Sequence, residues 1–181
     1  FGPVPSNDLE HTRVLPGFLP WSIAEQFARL KSAFSYLKVY AELGTPAEVT
    51  NAQANVVYLM GVLGHVVGDA TQPLHTTRNY NGWIGANPDG FTTNRSFHSW
   101  IDGAYLRRAG LSLDDLRPHA RTARVLPSVP PGNGDDPVFQ FACNLVGEQF
   151  RLVPTLYRME KEGRFNLSTP QGREGRGFLA T

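Results

Sequence analysis

Histidine and aspartate residues that could bind a metal ion cluster in one part of the sequence. The segment HVVGDATQPLH carries His65, Asp69 and His75, and the later segment HSWID carries His98 and Asp102. The members of each His/Asp pair are four residues apart, and residues at that spacing lie on the same face of an α-helix. Imidazole nitrogens and carboxylate oxygens are zinc ligands, and the chain's single cysteine offers little thiolate competition. The pattern predicts a zinc site built from these five residues.

A histidine on an apolar helix also has an ordinary alternative, because most such histidines are hydrogen-bonded core residues. Asp69 beside His65 could simply fix the tautomer of that ring. The joint pattern favours a metal site, since two His/Asp pairs and a further histidine after Pro73 rarely arise from packing alone. His11 and His119 lie in proline-rich or arginine-rich stretches without partners at helical spacing, so we expect neither to bind a metal.

The composition is that of a globular protein and excludes several functional classes. The chain has 181 residues, of which 41% are hydrophobic and 18% are charged, and its formal net charge is +1. This near-zero charge gives no overall field that would recruit nucleic acid or an acidic membrane. No stretch approaches the roughly 20 apolar residues of a membrane span. No phosphate-binding or dinucleotide-binding glycine motif and no Ser/His/Asp or Cys/His nucleophile set is visible.

Apolar residues recur at three- and four-residue intervals along most of the chain, which predicts an all-α, bundle-like single domain. Residues 1–20 contain four prolines and predict an extended arm. Capping boxes mark two helix starts, one at Ser22 with Glu25 and one at Thr45 with Glu48. The predicted helices cover about 22–43, 45 to beyond Asp69, 94–109, 112–116 and 136–162 with a kink at Pro154, and another begins at 169.

Three further expectations concern burial and the surroundings of the metal-competent residues. The second helix is apolar nearly all round, so we expect it to be central; it carries His65 and Asp69. Residues 72–94 show no periodicity and predict a long loop, and loops of that length are more often functional than filler. Cys143 lies in an apolar helix and is predicted to be a core residue.

The text GDATQPLH, and the spacing H-x3-D-x5-H followed by H-x3-D, resemble the zinc-dependent phospholipase C and single-strand-specific nuclease superfamily. The pattern GD-x-x-QPLH is similar to the nuclease branch, as is the aspartate that ends the second pair. These motifs cover roughly residues 60–105. The resemblance implies an all-α fold, up to three zinc ions, hydrolysis of phosphodiester bonds by metal-activated water, and a secreted or periplasmic location.

The resemblance also implies which residues hold which ion. His75, His98 and Asp102 would be the protein ligands of one zinc. His65 and Asp69 would supply half of a second site, with Asp69 bridging to the third ion.

The remaining ligands of the family come from its N-terminal part and cannot be placed in this sequence. Residue 1 is Phe where the family has Trp, and Asp8 and His11 lie too close together to replace a missing Asp and His. Ser96 stands where the nucleases commonly have Asn, two residues before the histidine. We therefore expect a chain truncated at both ends, with one well-held zinc site, a general base that cannot be named, and a rate orders of magnitude below that of the intact protein.

The expected substrate is a phosphate ester, with single-stranded nucleic acid as the first choice. Tyr80, Trp83 and Phe91 could stack a base or line a lipid pocket, and Arg78 could contact a phosphate. Alternatively, the aromatic residues pin the long loop to the core, and Arg78 is a solvated charge. Two other functions compete with the nuclease: a phospholipase C-like lipid hydrolase and a non-catalytic zinc-binding helical fragment.

Overall fold

The computed structural model describes residues 17–110, 112–122 and 136–173, and its regular elements in these ranges are all helical. This confirms the all-α prediction. The proposed arm, apart from residues 17–20, lies outside the described residues, as does His11. The α-helices are α1 (Leu19–Leu43), α2 (Pro46–Ala70), α3 (Phe97–Ser99), α4 (Leu106–Ala109), α5 (Leu113–Leu116), α6 (Pro137–Lys161) and α7 (Pro170–Arg173).

Three tighter or wider turns complete the helical elements. Pro73–Thr76 and Arg117–His119 are 3-10 turns, and Trp100–Tyr105 is a π-helical turn that joins α3 directly to α4. The predicted third helix is therefore present, but it begins at Phe97 and not at Asn94. The long helix α6 continues through Pro154, and the start predicted at Thr169 leads into α7.

The chain divides into two compact units. The first comprises residues 1–72 and 126–148, and the second comprises 73–125 and 149–181, so that α6 contributes its first half to one and its second half to the other. The expectation of a single domain stays a prediction.

No helix in the described part of the chain is both long and apolar enough to cross a membrane.

The two predicted capping boxes had different outcomes. Thr45 and Glu48 form theirs: the Glu48 carboxylate accepts from the Thr45 backbone N–H at 2.8 Å, and the Thr45 hydroxyl accepts from the Glu48 N–H at 3.3 Å. The box at Ser22 is wrong. Helix α1 starts earlier, with Pro20 in its first turn, where its missing N–H costs nothing. Glu25 lies inside the helix and pairs with Arg29 at 2.6 Å.

The core of the first unit is small. Helices α1 and α2 pack against each other, and a cluster of buried residues joins α1, the end of α2 and the start of α6: Ile23, Ala70, Val138 and Ala142. The expectation that α2 is central is wrong, because Val57 and Tyr58 are each 68% exposed. Cys143 is exposed as well, which corrects the core assignment. An apolar sequence buries only the face that another element covers.

The core of the second unit is larger and rich in aromatic side chains. It joins the turn at 73–76, the long loop, the helix from Phe97 onward and the second half of α6. Its buried members are Leu74, Phe91, Phe97, Ile101, Tyr105, Val153, Leu156, Tyr157, Met159 and Phe165. Three of these buried residues, Leu74, Phe97 and Ile101, directly precede residues that could bind a metal ion.

Candidate metal centre

Three potential ligand atoms from separate parts of the chain converge in the second unit. The Nε2 atoms of His75 and His98 lie 2.9 Å apart. The Oδ2 atom of Asp102 lies 2.5 Å from the His98 nitrogen and 3.3 Å from the His75 nitrogen. The two histidine side chains are 24% exposed and Asp102 is 34% exposed. The group is thus held at the edge of the core, where it is accessible to an ion and to a substrate.

The spacing of these three atoms fits a single zinc ion. The circle through them has a radius of about 1.7 Å, whereas zinc binds imidazole and carboxylate at about 2.0–2.2 Å. Because the bonding distance exceeds the radius, one ion can contact all three atoms at once. Among the described residues, no other group of three histidine, cysteine or acidic side chains comes together in this way.

The chemistry of the three atoms also favours a cation. A carboxylate accepts hydrogen bonds only, and so does an imidazole nitrogen that carries no proton. Three acceptors facing one another repel unless a proton or a cation lies between them. Two imidazoles and one carboxylate are a donor set that zinc takes, with a further position left for water or substrate.

Buried neighbours in the sequence position each of the three side chains. Leu74 precedes His75 and is fully buried, Phe97 precedes His98 and is 2% exposed, and Ile101 precedes Asp102 and is 1% exposed. A side chain packed on all sides holds its backbone in place, because interiors are close-packed. The hydrophobic core of the second unit therefore fixes the geometry of the ligand group.

The pair His98 and Asp102 lies across a change in helix type. His98 belongs to α3, and Asp102 lies in the π-helical turn Trp100–Tyr105. Such wide turns are rare and occur frequently at functional sites. The sequence carries no proline or glycine pair that would have predicted the turn, so sequence reasoning missed it.

The other predicted pair is placed differently. His65 Nε2 and Asp69 Oδ2 lie 3.5 Å apart near the C-terminal end of α2, so they share a helix face as predicted. The His65 side chain is 78% exposed. Within the described residues, no third ligand completes a metal-competent group with them. Asp8 and His11, which the sequence analysis compared with the missing N-terminal ligands, lie outside the described residues.

Two of the four predicted substrate residues are exposed, and one of these contacts the ligand group. The Tyr80 side chain is 40% exposed, and its ring meets the His98 ring edge-on at 5.8 Å between centroids. Arg78 is exposed too, on the loop that follows the turn carrying His75. Both remain candidates for contact with a substrate.

The other two substrate candidates, Trp83 and Phe91, belong to the core. Phe91 is 6% exposed, and the Trp83 ring lies 4.9 Å from it and 5.3 Å from Tyr157. The Trp83 indole N–H donates to the Ala86 carbonyl at 2.9 Å. This placement favours the alternative reading, in which these rings pin the long loop to the core.

Asparagines in the long loop support the site, although sequence reasoning did not single them out. The Asn81 side-chain oxygen accepts the His98 backbone N–H at 3.3 Å. The Asn79 carbonyl accepts the Tyr157 hydroxyl at 2.5 Å, and burial raises the pKa of Tyr157 to about 12. Gly82, directly after Asn81, has φ 90°, and a Cβ there would lie 2.7 Å from the Thr93 carbonyl. The NYNG text signalled a turn, but it did not reveal these partners.

Comparisons of the chain with protein-family models, with curated proteins and with solved structures found no match. The ligand geometry is therefore the main basis for a functional proposal.

Proposed function

We propose that this chain is a zinc-dependent phosphodiester hydrolase of nuclease-like type, and that His75, His98 and Asp102 hold its metal. The supporting observation is the convergence of their three ligand atoms within 3.3 Å of one another. The resemblance of the same residues to the phospholipase C and nuclease superfamily supports the choice of reaction. By that resemblance we also propose a secreted or periplasmic location.

The ligand set supports this chemistry through its charge and its open side. A zinc ion held there supplies Lewis-acid polarisation of a phosphate oxygen and activation of a water molecule near neutral pH. Asp102 neutralises only part of a divalent charge, so the site keeps a net positive charge for an anionic substrate. The partial exposure of all three side chains leaves room for that substrate to approach.

Tyr80 favours nucleic acid as the substrate class. Its exposed ring stands against His98, and a base can stack on such a ring while its phosphate lies at the metal. Arg78 is exposed three residues after His75, and we propose that it contacts a phosphate oxygen. No comparable observation favours a lipid substrate, so a phospholipase activity is an outcome of the test below.

The test combines metal counting with two substrates. The chain is stripped with a chelator and reloaded with zinc, the metal is counted by mass spectrometry, and hydrolysis is measured on a single-stranded oligonucleotide and on phosphatidylcholine. We expect one zinc per chain and cleavage of the oligonucleotide. His98→Ala should lower the rate about a hundredfold or more, because loss of even an outer partner of a ligand costs about 10–100-fold.

His119→Ala is the matched control, since it removes an exposed histidine of the same unit from the 3-10 turn Arg117–His119. This variant should bind zinc and hydrolyse the oligonucleotide as the unmodified chain does. Hydrolysis of phosphatidylcholine alone would replace the proposal with a lipid hydrolase. Bound zinc without turnover on either substrate would leave a non-catalytic metal site.

A further inference from the structure

A second concave site lies in the second unit, and none of the three metal ligands lines it. This cavity of about 410 Å³ is bounded by the segment that leads into α3 and by the end of α6 with the turn after it. Its volume is within the range of about 300–1,000 Å³ that is typical of small-molecule sites. Its wall includes three polar side chains and three aromatic ones: Asn94, Glu160, Asn166, Phe97, Trp100 and Phe165.

Glu160 is the wall residue with most to gain from a ligand. Its side chain is part-buried, and burial raises the pKa of its carboxyl above the ordinary value of 4.5. Within the described ranges, no hydrogen-bond donor or cation pairs with it. Lys161 also lines the cavity, but its amino group donates to the Asp89 carbonyl at 2.6 Å, and Arg164 pairs with Glu162 at 2.9 Å. A ligand with N–H donors would offset the desolvation of the Glu160 carboxylate.

The two asparagines offer donors to the same cavity. The Asn94 side-chain oxygen accepts the Ser96 backbone N–H at 2.9 Å, and the Asn166 oxygen accepts the Ser168 N–H at 2.9 Å. Because a backbone N–H can only donate, these bonds fix which end of each amide is the oxygen. The NH2 groups are therefore the ends that remain for a ligand acceptor.

Trp100 offers the cavity an aromatic face with a fixed orientation. Phe97 and Phe165 are each 2% exposed, so they support the wall from the core beneath the part-buried Trp100 ring. The Trp100 indole N–H donates to the Phe165 carbonyl at 2.9 Å, which fixes the plane of the part-buried ring. Rigid aromatic surfaces of this kind suit a planar ligand, and planar nucleobases stack on them.

We propose that this cavity binds a guanine base, with the Glu160 carboxylate accepting its two adjacent N–H groups and the asparagine NH2 groups donating to its carbonyl and ring acceptors. The choice of a nucleobase rests on the proposed nuclease-like function. Guanine presents two neighbouring N–H donors on one edge, at N1 and N2. Adenine presents one donor beside an acceptor on the corresponding edge, so it leaves one oxygen of the carboxylate unpaired.

Guanosine carries no phosphodiester, so its binding can be measured separately from zinc chemistry. Calorimetric titration of the chain with guanosine and with adenosine, both in buffer containing a chelator, provides the test. We expect guanosine to bind at least about tenfold more tightly, because a mismatched edge leaves a desolvated polar group without its partner. Glu160→Gln should remove this preference, since an amide NH2 would then face the N–H donors of the base.

Two checks keep the variant interpretable. Glu162→Gln alters a neighbouring carboxylate that pairs with Arg164 and does not line the cavity, so it should bind guanosine like the unmodified chain. Glu160→Gln should fold, because it removes a charge and keeps the shape. The raised pKa means that the folded state holds the Glu160 proton more tightly than the unfolded state. The stability of the unmodified chain relative to the variant should therefore fall as the pH rises from below 4.5 through the raised value.

The outcomes distinguish a failure of the guanine assignment from a failure of the proposed hydrolase function. Equal affinity for the two nucleosides, no guanosine binding by the unmodified chain, or unchanged selectivity in Glu160→Gln would each overturn the guanine assignment. Hydrolysis by the zinc-loaded chain would stand unaffected by any of these. Guanosine selectivity together with a failure to hydrolyse either substrate would refute the hydrolase and keep the cavity assignment.

Discussion

Two His/Asp pairs with the same four-residue spacing have different surroundings in this molecule. His65 and Asp69 lie 3.5 Å apart on a helix whose outer face is exposed. His98 and Asp102 lie 2.5 Å apart, and His75 from a separate turn meets both of them. The spacing brings each pair onto one helix face, but only the second pair has a further ligand from another element among the described residues.

The difference lies in what the neighbouring residues pack against. Large side chains that are fully or almost fully buried precede His75, His98 and Asp102 in the sequence, whereas Val66 beside His65 is only partly buried and the buried residue beside Asp69 is the small Ala70. Holding a ligand within a few tenths of an ångström requires a locked supporting shell. Spacing therefore selects candidates, and the core decides which of them form a site.

The largest effect should come from comparing one histidine of each pair. His98→Ala removes one of three converging ligands, so zinc affinity should fall about a hundredfold or more. His65→Ala removes an exposed side chain that belongs to no group of three among the described residues, so the tightest zinc affinity should change little. Competition titration against a chromophoric chelator measures both. Equal losses in the two variants would remove the distinction between the pairs.

The role of the core as a support can be tested at Leu74. This side chain is fully buried beside His75, so Leu74→Ala should lower the free energy of unfolding by about 2–5 kcal/mol, and it should also weaken zinc binding. Val57→Ala is the control, because Val57 is 68% exposed and its change should cost less than about 0.5 kcal/mol. Urea unfolding without zinc gives the free energy of unfolding, and its increase in the presence of zinc reports the zinc affinity. Unchanged zinc affinity in Leu74→Ala would show that the core does not position His75.

The smallest expected effect concerns the cap of the helix that carries His65 and Asp69. Thr45→Ala removes the hydroxyl that accepts the Glu48 N–H and should lower the stability by about 1 kcal/mol. Thr50→Ala removes an exposed hydroxyl that donates to the Pro46 carbonyl within the same helix, and it should be near neutral. Urea unfolding distinguishes them, and neither change should alter zinc affinity. A weaker zinc complex in Thr45→Ala would tie the metal centre to this helix.

The local features of the fold were the most predictable from sequence. Thr45 and Glu48 start a helix by bonding to each other, and Pro46 fits its first turn, so three residues suffice to predict it. Ser22 and Glu25 have the same spacing, yet Pro20 already serves as a first-turn residue and the helix begins earlier. Competition between two possible starts is decided by packing, which the pattern alone does not contain.

Burial was the least predictable property. The apolar residues of α2 and the lone Cys143 indicated a core, and both predictions failed because coverage depends on which elements pack nearby. Trp83 and Phe91 could equally have been substrate contacts from their loop sequence, and their core positions follow from Tyr157, which lies far along the chain. The convergence of His75, His98 and Asp102 was predictable because imidazole and carboxylate side chains have few other reasons to recur at that spacing.

The π-helical turn Trp100–Tyr105 has an evolutionary consequence. A wide turn of this kind corresponds to one extra residue inserted into an α-helix, and its poorer hydrogen bonding is a cost that selection removes unless the altered direction of a side chain is useful. Deleting Ile101 would keep both histidines but bring the aspartate to three residues from His98, which turns its carboxylate by about 100° around the helix axis.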